Sequence, residues 1–437
     1  MSERSFVHWF RHAGPYINAH RDKTFVIAFG GEALINDAEF SALVHDFALL
    51  HSLGARLVLV PGARPQIDAQ LHDSARRMRY VNGLRITDFE DLKGVEQAVG
   101  NVRIRVEAKL SMGLANSPMQ GARIHVASGN FVTARPLGVR DGVDYCFTGE
   151  VRRIDARAIH TCLDHKAIVL LGTLGYSPTG EVFNLSAGEI AVATAIALQA
   201  DKLLLLGEGA DVVNDRGELI RQLTLADVSS EPAIAKLPSD VRRQLDHALR
   251  ACRGGVRRAH LLDRRVDGAL LRELYTRDGV GTMVAADLYE RLRQATIEDI
   301  GGILELIAPL EIDGTLVRRS RELLEMEIDR FTILERDGTT IGCAALYAFH
   351  EERLGELACL AVHTDYRRSS RADALLQHIE ACSRQLGLEK LFVLTTRAAH
   401  WFQERGFVAA EITDLPVSRQ LLYNLQRRSK VFIKPLI

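Results

Sequence analysis

The chain has 437 residues, long enough for two or three domains, and 47% apolar with 25% charged residues is ordinary globular composition. Its 55 Lys and Arg against 56 Asp and Glu leave a net charge of −1, which argues against a nucleic-acid or membrane-surface binder, since both need a basic excess. No apolar run approaches the roughly 18 residues of a membrane span, the N-terminus MSERSFVHWFRHAGPY lacks an export core, and six scattered cysteines without C-x-x-C read as reduced, so a cytoplasmic protein is expected.

In chain order, Thr24–Phe29 (TFVIAF) is an apolar run of β-formers that ends at Gly30-Gly31. Phe40, Leu43, Val44, Phe47 and Leu50 then recur on one helical face, and Gly54 sits at a C-terminal cap position. Residues 56–60 form a second strand, stopped by Pro61-Gly62. Strand, glycine turn, helix and strand make a βαβ unit, which implies a parallel sheet covered by helices. Further strands are expected at 123–127, 168–171 and 202–206, with a helix over 187–199. Gly30-Gly31 is either a tight turn or a place where phosphate oxygens approach backbone N–H groups.

The pattern changes at 289–294, which reads as a short linker between domains at 1–288 and 295–437. Thr296 or Asp299 suits the cap of the next helix. Strands at 331–335, 340–347 and 355–362, with a turn at Asp337-Gly338, make a meander. After the loop 366–371 comes a helix with Leu375, Ile379, Cys382 and Leu386 as its buried stripe, ended by Gly387. A strand at 390–395 and a short helix at 400–405, stopped by Gly406, follow.

The segments FGGE, LVLVPGARPQID, GVDYCFTGEVRRID and FNLSAGEIA resemble the amino-acid-kinase fold of N-acetylglutamate kinases and synthases. The departures are informative. The kinases carry a Lys just before Gly-Gly, where this chain has Ala28-Phe29. Their N-x-N-A-D motif reads Asn184-Leu185-Ser186-Ala187-Gly188, so Gly188 replaces the acid, and residues 209–214 contain no Lys. Phosphoryl transfer needs cations around the moving phosphate, so this domain is read as kinase-dead. The resemblance also implies an arginine site between an N-terminal helix at 6–20, containing Tyr16, and a late segment. There Glu273 would pair with the guanidinium, and backbone groups around Gly279 and Gly281 would hold the α-amino and carboxylate groups. His8 and His12 lack a supporting ligand cluster, so no metal is expected. The Arg-rich stretch 242–265 reads as a solvated helical face.

The last third resembles the GNAT acetyltransferase superfamily, whose ligand is acetyl-coenzyme A. Its (Q/R)-x-x-G-x-(G/A) loop reads Arg367-Arg368-Ser369-Ser370-Arg371-Ala372, with Ser370 for the middle Gly. A nest of N–H groups at a helix start would hold the pyrophosphate, with Arg side chains adding charge. The overall fold class is thus α/β: an amino-acid-kinase-like parallel-sheet sandwich followed by a GNAT α+β domain. Over the whole length, strings such as LVRRSRELLEMEID, GELACLAVHTDYRRSSR, LFVLTTRAAHWFQERGF and LYNLQRRSKVF resemble the bacterial N-acetylglutamate synthase family. That implies acetyl transfer from acetyl-CoA to L-glutamate, feedback inhibition by L-arginine, and a homo-oligomer, hexameric in some relatives. No nucleic-acid or membrane partner is implied.

The chemistry assigns roles. The α-ammonium of glutamate must lose a proton, and Glu356 at the start of the central strand is the expected base, ahead of Glu351 and Glu352. Backbone N–H groups of Cys359, Leu360, Ala361 and Val362 would receive the developing oxyanion if that strand bulges; Cys359 need not be a nucleophile. His400-Trp401-Phe402 offers no Tyr to the leaving thiolate, which leaves Thr395 or Thr396. Arg318, and Arg427 or Arg428 with Ser429, would hold the substrate's carboxylates. Three rivals stay open: an acetylglutamate kinase with an appended domain, a non-catalytic arginine sensor, and acetyl transfer to another amine.

Overall fold

The computed structural model describes residues 3–73, 79–113, 116–209, 211–225, 234, 236–276, 279–285, 290–336, 339–367, 371–421 and 429–436. The chain divides into two compact units, Met1–Asp287 and Leu288–Ile437.

The first unit begins with α1 (Glu3–His20), β1 (Thr24–Phe29), α2 (Asp37–Ser52), β2 (Arg56–Pro61), α3 (Arg64–Asp73), the ladder of β3 (Tyr80–Val81) and β4 (Leu84–Arg85), and α4 (Phe89–Leu110). It continues through β5 (His125–Ser128), β6 (Val132–Pro136), β7 (Val139–Arg140), β8 (Val143–Asp144), β9 (Gly149–Ile154), α5 (Ala156–Asp164), β10 (Ala167–Leu170), β11 (Leu174–Tyr176), β12 (Val182–Asn184) and α6 (Ala187–Ala197). It ends with β13 (Lys202–Gly207), β14 (Gln222–Thr224), α7 (Ser239–Arg253), β15 (Arg258–Asp263), α8 (Ala269–Tyr275) and β16 (Thr282–Ala285).

Eight strands form one sheet in the order β14-β16-β15-β13-β1-β2-β10-β5. β1 lies between β13 and β2, parallel to both, and all six of its residues are buried. Alternate side chains serve two cores: Val26 and Ala28 with Val58 and Val60 on one face, Phe25, Ile27 and Phe29 with Leu57 and Leu59 on the other. That two-sided burial explains why these strands read as continuous apolar runs. α2 starts at Asn36, whose side chain accepts from the N–H groups of Ala38 and Glu39, and buries Phe40, Val44, Phe47 and Leu50; Leu43 is half-buried. Gly54 beyond its end has φ +95°, a conformation that glycine adopts at little cost.

The second unit comprises β17 (Glu290–Gln294), α9 (Ile300–Ile312), α10 (Arg321–Met326), β18 (Phe331–Arg336), β19 (Thr339–Phe349), β20 (Leu354–Val362), α11 (Arg371–Gln385), β21 (Lys390–Thr395), α12 (Ala399–Gln403), β22 (Val408–Ala410), α13 (Val417–Leu421) and β23 (Lys430–Pro435). Its sheet runs β17-β18-β19-β20-β21-β23-β22, antiparallel except for the pair β20–β21.

Two expectations change here. Residues 290–294, read as linker, form an edge strand antiparallel to β18, with Glu290 opposite Arg336 and Gln294 opposite Thr332. Its charge-rich composition is that of a protected sheet edge, and Leu292 supplies the inward contact. The buried stripe of α11 runs through Leu375, Leu376, Ile379 and Ser383, whereas Leu386 is exposed and Cys382 only partly covered. Ser383 turns its hydroxyl back to the Ile379 carbonyl, a small polar group satisfied within the helix. The two candidate caps act together: the Asp299 carboxylate accepts from Thr296 N–H in a capping box.

Candidate active site

The central strand of the second unit is broken by a bulge. Cys343 of β19 pairs with Ala361 and Ala345 with Ala358, so Cys359 and Leu360 share one partner position. Cys359 sits at φ +52°, and its carbonyl accepts from the Cys343 thiol at 3.5 Å. On the other edge, β20 pairs with β21 only over Leu354–Glu356, while β21 runs on to Thr395 bonded to β23. The two parallel strands therefore splay beyond Glu356. The wedge leaves backbone groups of β20 turned towards a space where an extended ligand arm can add to the strand.

Glu356 closes the narrow end of this wedge. It is 5% exposed, and its carboxylate accepts from Arg419 of α13 at 2.8 Å. Burial pushes its carboxyl above the ordinary range, against the pull of Arg419 and of Arg319. Tyr347 lies opposite Glu356 in the ladder and donates to Glu327 at 2.7 Å; burial and Glu327 push its phenol up to about 12. Arg330 stacks on the Tyr347 ring at 4.8 Å. The Cys359 thiol is pushed up to about 11 by burial, which suits a backbone role rather than a nucleophilic one.

Arg318, the expected carboxylate ligand, is exposed, and its neighbour Arg319 turns inward. Burial opposes the Arg319 charge, and Cys359, Tyr347 and Glu327 more than offset it, so its guanidinium stays firmly protonated beside the bulge. The segment 317–320 is not helical, and in extended backbone successive side chains point to opposite sides. Only the register of the following helix, capped by Ser320, decides which arginine faces in. Thr395 is buried at the end of β21, where its hydroxyl accepts from Ala398 N–H at 2.9 Å and keeps its own proton to donate; Thr396 is exposed. Ser429 is buried beside β23, and Arg427 and Arg428 lie outside the described residues.

Within the pyrophosphate loop, Arg368, Ser369 and Ser370 lie outside the described residues. Arg367 donates to the Val362 carbonyl at 3.0 Å. Arg371 grips both carboxylate oxygens of Glu290 at 2.9 and 2.8 Å and stacks on Tyr366. Its side chain is therefore committed to the edge strand, not turned to a phosphate as expected; the amide groups at the start of α11, by Ala372, are what this position offers an anion.

Residues 23–263 match the amino acid kinase family, and residues 327–409 match the acetyltransferase (GNAT) domain. The chain is 56% identical over 434 residues to an amino-acid acetyltransferase of Azotobacter vinelandii, covering 99% of this chain and 100% of that one. It is 54% identical over 442 residues to an amino-acid acetyltransferase of Escherichia fergusonii, covering 100% of both. The chain belongs to the amino-acid acetyltransferases. Among solved structures it is similar to N-acetylglutamate synthase from Neisseria gonorrhoeae complexed with coenzyme A and L-arginine: TM-score 0.90, 38% identity, 98% of this chain and 99% of that one. The same enzyme complexed with coenzyme A and N-acetyl-glutamate matches with a TM-score of 0.63 at 39% identity, covering 99% of each chain. The fold expected from the sequence, an amino-acid-kinase-like sheet followed by a GNAT unit, is the fold of this acetyltransferase.

In the first unit of this acetyltransferase, three of the residues expected to hold arginine, Glu273, Gly279 and Gly281, lie against one another as a closed clasp. The Glu273 carboxylate accepts from His260 at 2.7 Å and from the N–H groups of Val280 at 2.7 Å and Gly281 at 3.0 Å. Burial would raise its carboxyl; His260 and the two amides outweigh it and hold the group at about 2. Gly281 N–H is thus spent on Glu273 rather than free for a ligand carboxylate. Gly279, at φ +59°, accepts from Arg221 at 3.1 Å, and Tyr16 packs half-buried on the core beneath α1. Sequence reading missed two neighbours. His260 Nε2 and Tyr275 Oη are buried without a hydrogen-bond partner among the described residues, and the His20 ring packs on Tyr275. Only the pairing of β15 with β16 and the docking of α1 bring them there.

The kinase-side departures also have a geometry. A Cβ on Gly188 would lie 2.2 Å from the His247 ring, so no acid fits at 188 while His247 stays. Glu189 next door is bound by Arg250 at 2.6 and 2.8 Å. Among the described residues, no group of three or more His, Cys, Asp or Glu side chains is placed to hold a metal, and no helix is long and apolar enough to cross a membrane.

Proposed function

We propose that the chain transfers the acetyl group of acetyl-CoA to the α-amino group of L-glutamate, giving N-acetyl-L-glutamate and CoA, the opening step of arginine synthesis. The observation that carries this reading is the bulge at Cys359–Leu360 with buried Glu356 and inward-turned Arg319 both close to it. Arg319, with Arg427 and Ser429, holds the carboxylates of glutamate. Glu356, made more basic by burial, takes a proton from the α-ammonium, directly or through a water. The freed amine attacks the thioester carbonyl, and the N–H groups of the bulged segment Cys359 to Val362 stabilise the oxyanion. As the C–S bond breaks, the adduct nitrogen gives up its second proton to solvent, and the Thr395 hydroxyl hydrogen-bonds the departing thiolate, which takes a proton from solvent to leave as CoA. The coenzyme's pyrophosphate rests on the amides at the start of α11.

The same reading makes the N-terminal domain, expected over residues 1–288, a kinase-dead domain that binds L-arginine near Tyr16, Glu273 and the 279–281 turn and restrains the reaction. The transfer unit then starts at β17. The protein works in the cytoplasm as a homo-oligomer. The test is release of free thiol from acetyl-CoA with a panel of amino acids, with and without arginine. Glutamate-dependent thiol release that arginine reduces is expected. No thiol release would leave an arginine sensor, preference for another amine would change the substrate, and ADP formed from ATP and N-acetylglutamate would restore a kinase.

A further inference from the structure

The loop that receives the coenzyme's pyrophosphate is fastened to the edge strand β17, a segment that reads as linker in the sequence. The loop opens at the turn Thr364–Tyr366 beyond β20 and closes at Arg371, the first residue of the fifteen-residue α11. Arg371 Nε donates to both carboxylate oxygens of Glu290 in β17, at 2.9 and 2.8 Å, and Nη1 donates to the Tyr366 carbonyl at 3.4 Å. One side chain thus ties the start of the loop to its end, and both to the edge strand. The Tyr366 ring is shared: the Arg371 guanidinium lies 5.2 Å from its centroid, that of Arg336 lies 5.5 Å away, and the His363 ring meets it edge-on at 5.7 Å. Leu292 of β17, Tyr366 and Ala372 pack on one and the same core.

The charge balance of this cluster depends on Glu290. Its carboxylate meets two guanidinium groups, that of Arg371 and, at 3.6 Å, that of Arg336, which is its partner across the β17–β18 ladder. The Glu290 and Arg371 side chains are each 21% exposed, so water screens the pair less than it screens an open surface pair. Without the carboxylate, two like charges would face one ring, and the Arg371 fork would lose the acceptor that sets its direction. Amides at a helix start hold an anion only while the backbone entering the helix keeps them aimed at it. Arg371 is the residue at which loop becomes helix, and the Ala372 amide follows it. What fixes Arg371 therefore fixes the aim of the amides offered to the pyrophosphate.

We infer that Glu290 is a positioning residue for the coenzyme: it holds Arg371, and through it the amides at the start of α11, in the geometry that receives the pyrophosphate of acetyl-CoA. The inference rests on the acetyl-transfer reading for the identity of the coenzyme. An opposite role would have the opposite sign: if Arg371 were a phosphate ligand held back by Glu290, loss of Glu290 would free a cation and tighten binding. The test is steady-state thiol release by the full chain with acetyl-CoA and with S-acetylpantetheine, which carries the same thioester without a pyrophosphate. It is run on wild type, Glu290→Gln, Arg371→Ala and the double variant. Glu290→Gln should raise the KM for acetyl-CoA about tenfold, the loss of one charge-assisted contact, with kcat and the KM for glutamate within about twofold. Its kcat/KM for S-acetylpantetheine should stay at the wild-type value. Arg371→Ala should raise the same KM, and the double variant should be no worse than the poorer single variant, because the two residues act as a unit. An unchanged or lowered KM for acetyl-CoA in Glu290→Gln overturns the inference. So does an equal loss with S-acetylpantetheine, which marks general damage to the fold, and so do additive effects in the double variant. Absence of thiol release from wild type would instead count against the acetyl-transfer reading. Calorimetric titration of CoA into wild type and Glu290→Gln then still decides the inference, with about tenfold weaker binding expected in the variant and equal binding overturning it.

Discussion

Glu273→Gln offers a quantitative test of the clasp in the first unit. The Glu273 side chain is 6% exposed and accepts three hydrogen bonds, from His260, Val280 and Gly281. Its carboxyl is held at about 2 against an ordinary 4.5, a difference that corresponds to roughly 3 kcal/mol of native-state stabilisation. Burial holds His260 itself below its ordinary value despite Glu273, so the imidazole is neutral at pH 7 and donates from Nδ1. The hydrogen bond from His260 is the leading cause of the depression and the two backbone amides add to it, and about 2–3 kcal/mol is the expected loss in the Gln variant. Because the native value is depressed, the stabilisation is complete above the unfolded value near 4.5 and fades as pH falls through about 2. Urea unfolding of both proteins, followed by circular dichroism at pH 7 and at steps down to pH 2.5, measures it. The gap should be about 2–3 kcal/mol at pH 7 and shrink below pH 4.5. Equal stability at pH 7, or a gap that persists undiminished into acid, would refute the reasoning. Arginine inhibition measured on the same variant should be relieved.

Glu356→Gln should cut kcat by on the order of 10²–10⁴-fold, the range for a general base, with little change in the KM for acetyl-CoA; unaltered turnover would remove Glu356 from that role. Because burial raises the Glu356 carboxyl and Arg419 pulls it back, Arg419→Ala should move the acidic limb of the kcat/KM profile to higher pH; a shift towards lower pH would contradict the pairing. Arg319→Ala should raise the KM for glutamate by about 10- to 100-fold, the loss of one charge-assisted contact, whereas Arg318→Ala should change it less than about twofold. Steady-state kinetics on the two variants decides between the neighbours. Cys359→Ala should keep activity within a few fold and remain insensitive to thiol reagents, since only the backbone at 359 is used. Gly188→Asp should lower the melting temperature, because the new side chain meets His247, and it should gain no kinase activity in an ADP assay.

What the sequence determined by itself was what repeats locally. Thr24–Phe29 and Lys390–Thr395 are strands over the spans their apolar runs announce, because burial on both faces or at a sheet centre leaves a continuous signature. The order of units was legible from the motifs that carry the family resemblance, and Glu356 from a carboxylate at the start of the strand pattern at 355–362. The tertiary structure decided whatever depends on partners far along the chain. Arg319 rather than Arg318 faces the bulge because one residue of extended backbone reverses a side chain. Arg371 is held by Glu290, 81 residues away, so a loop that reads as phosphate-binding charge partly fastens a sheet edge. Glu273 is hydrogen-bonded, as a carboxylate, by the turn that was expected to share its ligand. Even the stretch 290–294 changes meaning, since a charged linker and a charged edge strand have the same composition and differ only in whether another strand lies beside them. Periodicity reports which face is buried; which groups meet there is settled only by packing.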